Sequence, residues 1–176
     1  MRRAPTEAPP VQAAVLLALF ERDGALWLPL TVRSNNVAHH RGQISFPGGA
    51  REAVDVDPWT NALREAHEEL GLDPLAIQPL GALTPLYIPG SHFEVHPWVG
   101  LVAEPPVYRP DPREVAEVIE LPLDLVLDPA SKATEQWVLH GQPTLVPSYR
   151  CGVHVIWGAT AMMLSEFETL LSGVTA

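Results

Sequence analysis

The sequence predicts an α/β (α+β) fold, on three observations: strand-length apolar runs at both ends of the first hundred residues, one amphipathic helix between them, and a second helix closing the chain. Val11 to Phe20 is a continuous apolar run, suited to a buried strand. Glu21-Arg22-Asp23-Gly24 reads as a turn and Ala25 to Thr31 as the antiparallel partner, so a hairpin opens the fold. Gln43 to Phe46 is a short strand leading into Pro47-Gly48-Gly49, where glycine lets the backbone come close to a ligand or metal. A helix is predicted from Pro58, with Asp57 as N-cap, through Ala62, Leu63, Ala66 and Leu70 to Gly71. Ile77 to Leu86 and Val95 to Val102 have strand character, separated by a Tyr87-Ile88-Pro89-Gly90-Ser91 loop. Asp111 to Glu117 is a polar segment for the surface or a cleft. Val118 to Pro122 is extended and Leu123 to Leu127 a helical turn. Trp137 to Leu139 and Pro143 to Val146 predict a small antiparallel hairpin around His140-Gly141-Gln142, and Ala159 to Leu171 the final amphipathic helix.

The chemistry-bearing segment is the helix from Pro58. Glu65, Glu68 and Glu69 fall three and four positions apart and share one side. Like charges so placed are unfavourable by about 0.2–0.5 kcal/mol per pair. A divalent cation removes that repulsion, because Mg²⁺ and Mn²⁺ prefer oxygen ligands and recruit substrate phosphates for the rest of their shell. Arg64 is placed to pair with one of these carboxylates and fix its rotamer. A solvated acidic helix face is the alternative reading, and the upstream glycines weigh against it.

Gly49 through Arg64-Glu65-Ala66-His67-Glu68-Glu69-Leu70-Gly71 resembles the signature of the Nudix hydrolases, which cleave nucleoside diphosphates linked to another moiety. Gly49 to Arg64 is one residue longer than the general pattern, with Asp55 at its acidic position and Glu52 three residues earlier. The longer spacing resembles the coenzyme A pyrophosphatase-like branch, as do Leu30-Thr31-Val32-Arg33-Ser34 and Gly42-Gln43-Ile44-Ser45-Phe46-Pro47-Gly48-Gly49. Ala38 stands where that branch commonly has an arginine, flanked by His39, His40 and Arg41. The similarity spans about Val11 to Leu171, and the ten residues before it are short beside the helical segment with which relatives often begin.

The resemblance implies a mixed β-sheet sandwiched between α-helices, in one domain over residues 11–176 behind a flexible tail of residues 1–10. It also implies Mg²⁺ or Mn²⁺ as cofactor, with Glu68 and Glu69 as main ligands, Glu65 as ligand or base, and the Gly49 carbonyl in the shell. Glu52 and Asp55 bind a further ion or orient Arg64; Glu114 or Glu117 could instead reach across the cleft as base. Arg33 and Arg41 offer guanidinium forks for phosphate, Gly48 a close backbone approach, and Tyr87 and His92 aromatic faces for a base or an extended arm. Three functions stay open: hydrolysis of coenzyme A, hydrolysis of an ADP-sugar or dinucleotide, and nucleotide sensing without turnover. The intact glutamate set argues against the last.

Composition narrows the partners. A net charge of −10, with Lys132 the one lysine among 11 basic residues, argues against a nonspecific nucleic acid binder. Cys151 is the single cysteine, which rules out an intrachain disulfide, and its flanks read as a packed, inert thiol. Adjacent His39 and His40 without cysteines do not make a structural zinc site. No apolar stretch reaches the length of a membrane span, so a small-molecule nucleotide is the expected partner and the cytoplasm the expected location. The family resemblance adds a homodimer, through a β edge or the proline-rich tail.

Overall fold

A strand that is apolar on both faces needs a layer on each side. The computed structural model describes residues 8–34, 43–139 and 141–174, and β1 (Val11–Arg22) lies inside an eight-stranded mixed sheet. Ala14, Leu16, Ala18 and Phe20 pack on Ala62, Ala66 and Leu70 of α1 (Pro58–Leu70). Ala13, Leu17 and Leu19 face the opposite layer, which contains Met163, Leu164 and Phe167 of the C-terminal helix. The sheet is thus sandwiched between helices, and alternation along one strand assigns each residue to its layer.

β1 turns into β2 (Ala25–Arg33) through Asp23 and Gly24, both at positive φ (56° and 77°), the backbone that a tight two-residue hairpin requires. The two strands pair over only Phe20–Arg22 and Ala25–Trp27. Beyond that point the split between them is filled by β3 (Ile44–Ser45), which pairs with Thr31 and Val32, and by β4 (Gly48–Ala50), which pairs with Ala13 to Val15. This divergence carries the two glycines to the sheet's centre.

After α1 come β5 (Ile77–Ala82), β6 (Leu86–Ile88) and β7 (Phe93–Val102). β7 runs parallel to β1 and antiparallel to β5 and β6. β8 (Val115–Pro122) pairs with β2 and leads into α2 (Leu123–Leu127). A separate antiparallel sheet of β9 (Lys132–Leu139), β10 (Gln142–Cys151) and β11 (His154–Trp157) precedes α3 (Gly158–Val174).

Helix α1 begins as its sequence dictates. The Asp57 carboxylate accepts from the Thr60 amide at 2.7 Å, the Thr60 hydroxyl oxygen accepts from the Asp57 amide at 3.2 Å, and Pro58 opens the first turn. Gly71 closes it in the left-handed region at φ 72°.

Several expected boundaries move. The strand expected over residues 77–86 breaks after Ala82, following a register shift between Pro79 and Gly81. Tyr87 and Ile88, expected in a loop, belong to β6. Val115 to Glu117, expected in a polar segment at the surface or over a cleft ahead of the extended stretch, are the start of β8, and the strand expected over residues 43–46 shrinks to Ile44–Ser45. The small hairpin is a three-stranded sheet, with Trp157 in its last strand, 5.2 Å from the Trp137 ring. Of the tail, Ala8 is placed: its carbonyl meets His92 Nε2 at 2.8 Å. Residues 1–7 lie outside the described residues. Among the described residues no helix is long and apolar enough to cross a membrane.

Candidate active site

Both glycines of β4 are required by close approach. A Cβ on Gly48 would lie 2.4 Å from the Ala14 carbonyl oxygen and 2.7 Å from Val15 Cα, both backbone atoms of the central strand. A Cβ on Gly49 would lie 2.6 Å from the carboxyl group of Glu65. Contact with the helix is therefore direct, and the Gly48 amide donates to Glu69 Oε2 at 3.4 Å.

The three glutamates do not share one environment, although the sequence places them on one side. Adjacent helix positions are rotated by about 100°, so Glu69 turns inward and Glu68 outward. Glu69 is 3% exposed, and the side chains of Glu65 and Glu68 are 12% and 52% exposed. Arg64 ties the outer pair together. Its Nε and Nη2 donate to the two Asp55 oxygens at 3.0 Å each, Nη2 also to the Ala50 carbonyl at 3.1 Å, and Nη1 to Glu68 at 2.9 Å. Nη2 also lies 2.8 Å from Glu65 Oε1. Asp55 is thus the partner that orients Arg64; what Glu52 contributes to this contact is its backbone amide, which donates to Asp55 at 2.7 Å.

Electrostatics follow the burial. Hydrogen bonding from Arg64 holds the Asp55 carboxyl below the usual carboxylate range, and the same pair holds the Arg64 proton more tightly than usual. Burial pushes Glu65 up, and pushes Glu69 up to about 8, opposed by Arg33, whose Nη1 lies 4.0 Å from Glu69 Oε1. Because this acid binds its proton more tightly folded than unfolded, the stabilisation from protonated Glu69 is full below its ordinary value of 4.5 and is lost as pH rises towards about 8. In chelator, the melting temperature of the wild type should fall more between about pH 5 and 8 than that of Glu69→Gln, which cannot ionise. Parallel curves would refute this assignment.

A hard cation fits this donor set. All candidate ligands are oxygens, a Cβ on Gly49 would displace the Glu65 carboxyl, and the buried Glu69 meets the Arg33 guanidinium only at 4.0 Å. Among the described residues, however, the acidic side chains do not converge into a ready three-ligand cluster. Glu68 is drawn away from Glu65 and Glu69 by its ion pair with Arg64.

Above the helix lies a cavity of about 680 Å³ whose polar end holds Arg33, Gly48, Gly49, Glu65 and Glu114. Among the described residues Arg33 Nε is buried with no hydrogen-bond partner, a guanidinium with donor capacity to spare. Glu114 is held by its backbone: its carbonyl accepts from the Ser34 amide at 2.7 Å and its amide donates to the Asp111 carbonyl at 3.0 Å. The Asp111 amide in turn donates to the Glu69 carbonyl at 3.0 Å, which joins this loop to the end of α1. The structure separates the two acids offered as a base from outside the helix. Glu114 lines the cavity, whereas Glu117 sits on β8 with Oε1 3.2 Å from His154 Nε2 and does not line it. Tyr87 also stays off the cavity wall, with its hydroxyl 2.8 Å from His92 Nδ1. Arg41, Ala38, His39 and His40 lie outside the described residues. Cys151 is half-buried rather than buried, and burial pushes its thiol up, as suits an unreactive group. Sequence reading missed the cavity's apolar wall, whose residues come from β1, β6 and β7; alternation assigns each a face of its strand but not its neighbours.

Fold and site place the chain among the mixed-sheet α/β proteins in which a glutamate-bearing helix is strapped beneath paired glycines. Residues 10–140 match the NUDIX domain, and the chain belongs to that family. It is 36% identical over 175 residues to the chloroplastic Nudix hydrolase 22 of Arabidopsis thaliana, covering 96% of this chain and 58% of that protein. The mouse peroxisomal coenzyme A diphosphatase NUDT7 is 40% identical over 116 residues, covering 66% of this chain and 49% of that protein. The human mitochondrial coenzyme A diphosphatase NUDT8 is 35% identical over 167 residues, covering 93% and 70%. The chain thus spans between about half and 70% of the length of these relatives. Among solved structures, the Nudix hydrolase RenU of M. smegmatis aligns with a TM-score of 0.57 at 28% identity, over 68% of this chain and 74% of that one. An Ap4A hydrolase of C. elegans aligns with a TM-score of 0.61 over 93% and 98%, at an identity of 16% that speaks for the fold alone.

Proposed function

We propose that residues 11–176 act as one catalytic domain, a cytoplasmic NUDIX pyrophosphohydrolase. With Mg²⁺ or Mn²⁺ it cleaves coenzyme A or its derivatives to adenosine 3′,5′-bisphosphate and 4′-phosphopantetheine or the acylated form. The observation that carries the reading is the packing of Gly49 directly on the Glu65 carboxyl, with Glu69 buried beside it, at the polar end of the cavity. Two of the relatives named as coenzyme A diphosphatases support the substrate.

Glu65, Glu68 and Glu69 would hold the cation, with the Gly49 carbonyl beside them. When bound, it lowers the pKa of a water and offsets charge on the phosphoryl oxygens. Arg64, fixed by Asp55, sets the rotamer of Glu65 and holds Glu68 in an ion pair until that carboxylate turns to the cation. Arg33 directs its free donor at a phosphate oxygen. Glu114 takes the proton from the attacking water as its oxygen bonds to phosphorus, and the bridging oxygen leaves with its electron pair on the other phosphate. Glu65 is the alternative base, since burial has already raised its proton affinity.

Ala38, in place of an arginine common in the coenzyme A branch, favours a second substrate reading, an ADP-sugar or dinucleotide. Coenzyme A, ADP-ribose and a dinucleoside polyphosphate, each incubated with Mg²⁺ or Mn²⁺ with and without chelator, separate the two. The expected result is preferential, chelator-sensitive release of adenosine 3′,5′-bisphosphate. Cleavage of only another compound would move the substrate to the second class, and no cleavage of any would remove the enzymatic reading.

A further inference from the structure

The cavity has a second end that the hydrolytic site does not use. Its charged groups, Arg33, Glu65 and Glu114, all gather at the glycines, and an apolar wall runs away from them, from Val15 beside Gly48 through Val95 and Phe93 to Ile88. These residues form one continuous surface by register. Val15 stands opposite Gly48, Ala13 beside Val95, Val11 beside Phe93, and Phe93 opposite Ile88. Val95 is buried in the core on the α3 side, and Val15, Phe93 and Ile88 pack against it, so all project from the same face of the sheet.

Resting on the coenzyme A reading, we propose that this wall seats the uncharged arm of the substrate, running from the diphosphate at Gly48 and Gly49 to the Gly90–Ser91 turn. Length supports it. Val15 to Ile88 spans four residues along the strands and two strand spacings across them, which is roughly 16 Å on the diagonal. A pantetheine arm, a chain of about a dozen bonds, extends to roughly 15 Å. Chemistry supports it too. Among the described residues the wall offers no charged partner, so a second phosphorylated nucleoside would lose its hydration there without replacement. The arm carries no charge: its gem-dimethyl group and methylenes lose nothing there, and only its hydroxyl and two amides need polar contact.

The far end is open and held in place. A Cβ on Gly90 would meet nothing within 4 Å, which leaves room for a thiol or its acyl group to pass out of the cavity. His92 sits in the left-handed region at φ 58°, with Nδ1 2.8 Å from the Tyr87 hydroxyl and Nε2 2.8 Å from the Ala8 carbonyl oxygen. That chain fixes the turn, which gives Tyr87 a positioning role rather than a stacking one.

Steady-state kinetics of Ile88→Asp and Ile88→Leu with coenzyme A and ADP-ribose test the assignment, together with calorimetric binding of 4′-phosphopantetheine to the intact protein. The expected result for Ile88→Asp is a fall of at least tenfold in the kcat/KM ratio of coenzyme A to ADP-ribose, carried by KM. 4′-Phosphopantetheine binding should weaken in parallel, while Ile88→Leu stays close to wild type. Equal losses for both substrates, or an unchanged ratio, would overturn it. Should the wild type turn over ADP-ribose but not coenzyme A, the substrate reading fails by itself. The arm site is then decided by binding: Ile88-dependent capture of 4′-phosphopantetheine upholds it, and no capture overturns it.

Discussion

Gly48→Ala should cost at least about 3 kcal/mol of folding stability, whereas Gly49→Ala should leave the fold close to wild type and remove most of the turnover. The two residues are neighbours, but their missing Cβ atoms would meet different things. At Gly48 the obstacles are the Ala14 carbonyl oxygen at 2.4 Å and Val15 Cα at 2.7 Å, backbone of the strand at the centre of the sheet. Neither moves without disturbing pairing to β4 and β7 together. At Gly49 the obstacle is the Glu65 carboxyl, the end of a side chain that can rotate away. That rotation takes a proposed ligand out of the site, and displacements of about 1 Å in catalytic groups cost on the order of 100-fold in rate. Thermal unfolding and turnover of both variants check the contrast. Equal stability loss in the two would show that the Glu65 contact is not a separate functional constraint.

Glu68→Gln should reduce turnover by about 100-fold or more at any attainable Mg²⁺ concentration, with a melting temperature near that of the wild type. Its side chain is 52% exposed and its protein partner is Arg64, which keeps Asp55 and Glu65 when Glu68 is neutralised. Exposed pairs of this kind contribute about 0–1 kcal/mol, so the fold has little to lose. The chemistry loses a ligand charge. Wild-type turnover at saturating Mg²⁺ would remove Glu68 from the metal set.

The helix was the most legible part of the chain, because Asp57, Pro58 and Gly71 mark its ends locally and Ala62, Ala66 and Leu70 its buried stripe. The different fates of Glu68 and Glu69 were not legible from spacing alone: they depend on what covers each side of the helix, which is decided by where β4 crosses it. Asp55 was readable as a candidate partner of Arg64, but the choice over Glu52 needed the turn that brings both Asp55 oxygens onto the guanidinium. The choice between Glu114 and Glu117 turned on a strand boundary. Once β8 starts at Val115, Glu117 follows the strand towards His154 and Glu114 remains in the loop over the cavity. The apolar wall was hidden for another reason. Its residues come from three strands and become one surface only through pairing registers that no local pattern specifies.

The central claim is that the α1 carboxylates hold a divalent cation at the strap of Gly48 and Gly49. Free Mn²⁺, followed by its electron paramagnetic resonance signal during titration into wild-type protein and Glu68→Gln, tests it most directly. The account predicts saturable binding to the wild type, tightened by a nucleoside diphosphate, and at least about tenfold weaker binding to the variant, from the loss of one charged oxygen ligand. Equal affinity in the two proteins, or no saturable binding to either, would contradict it.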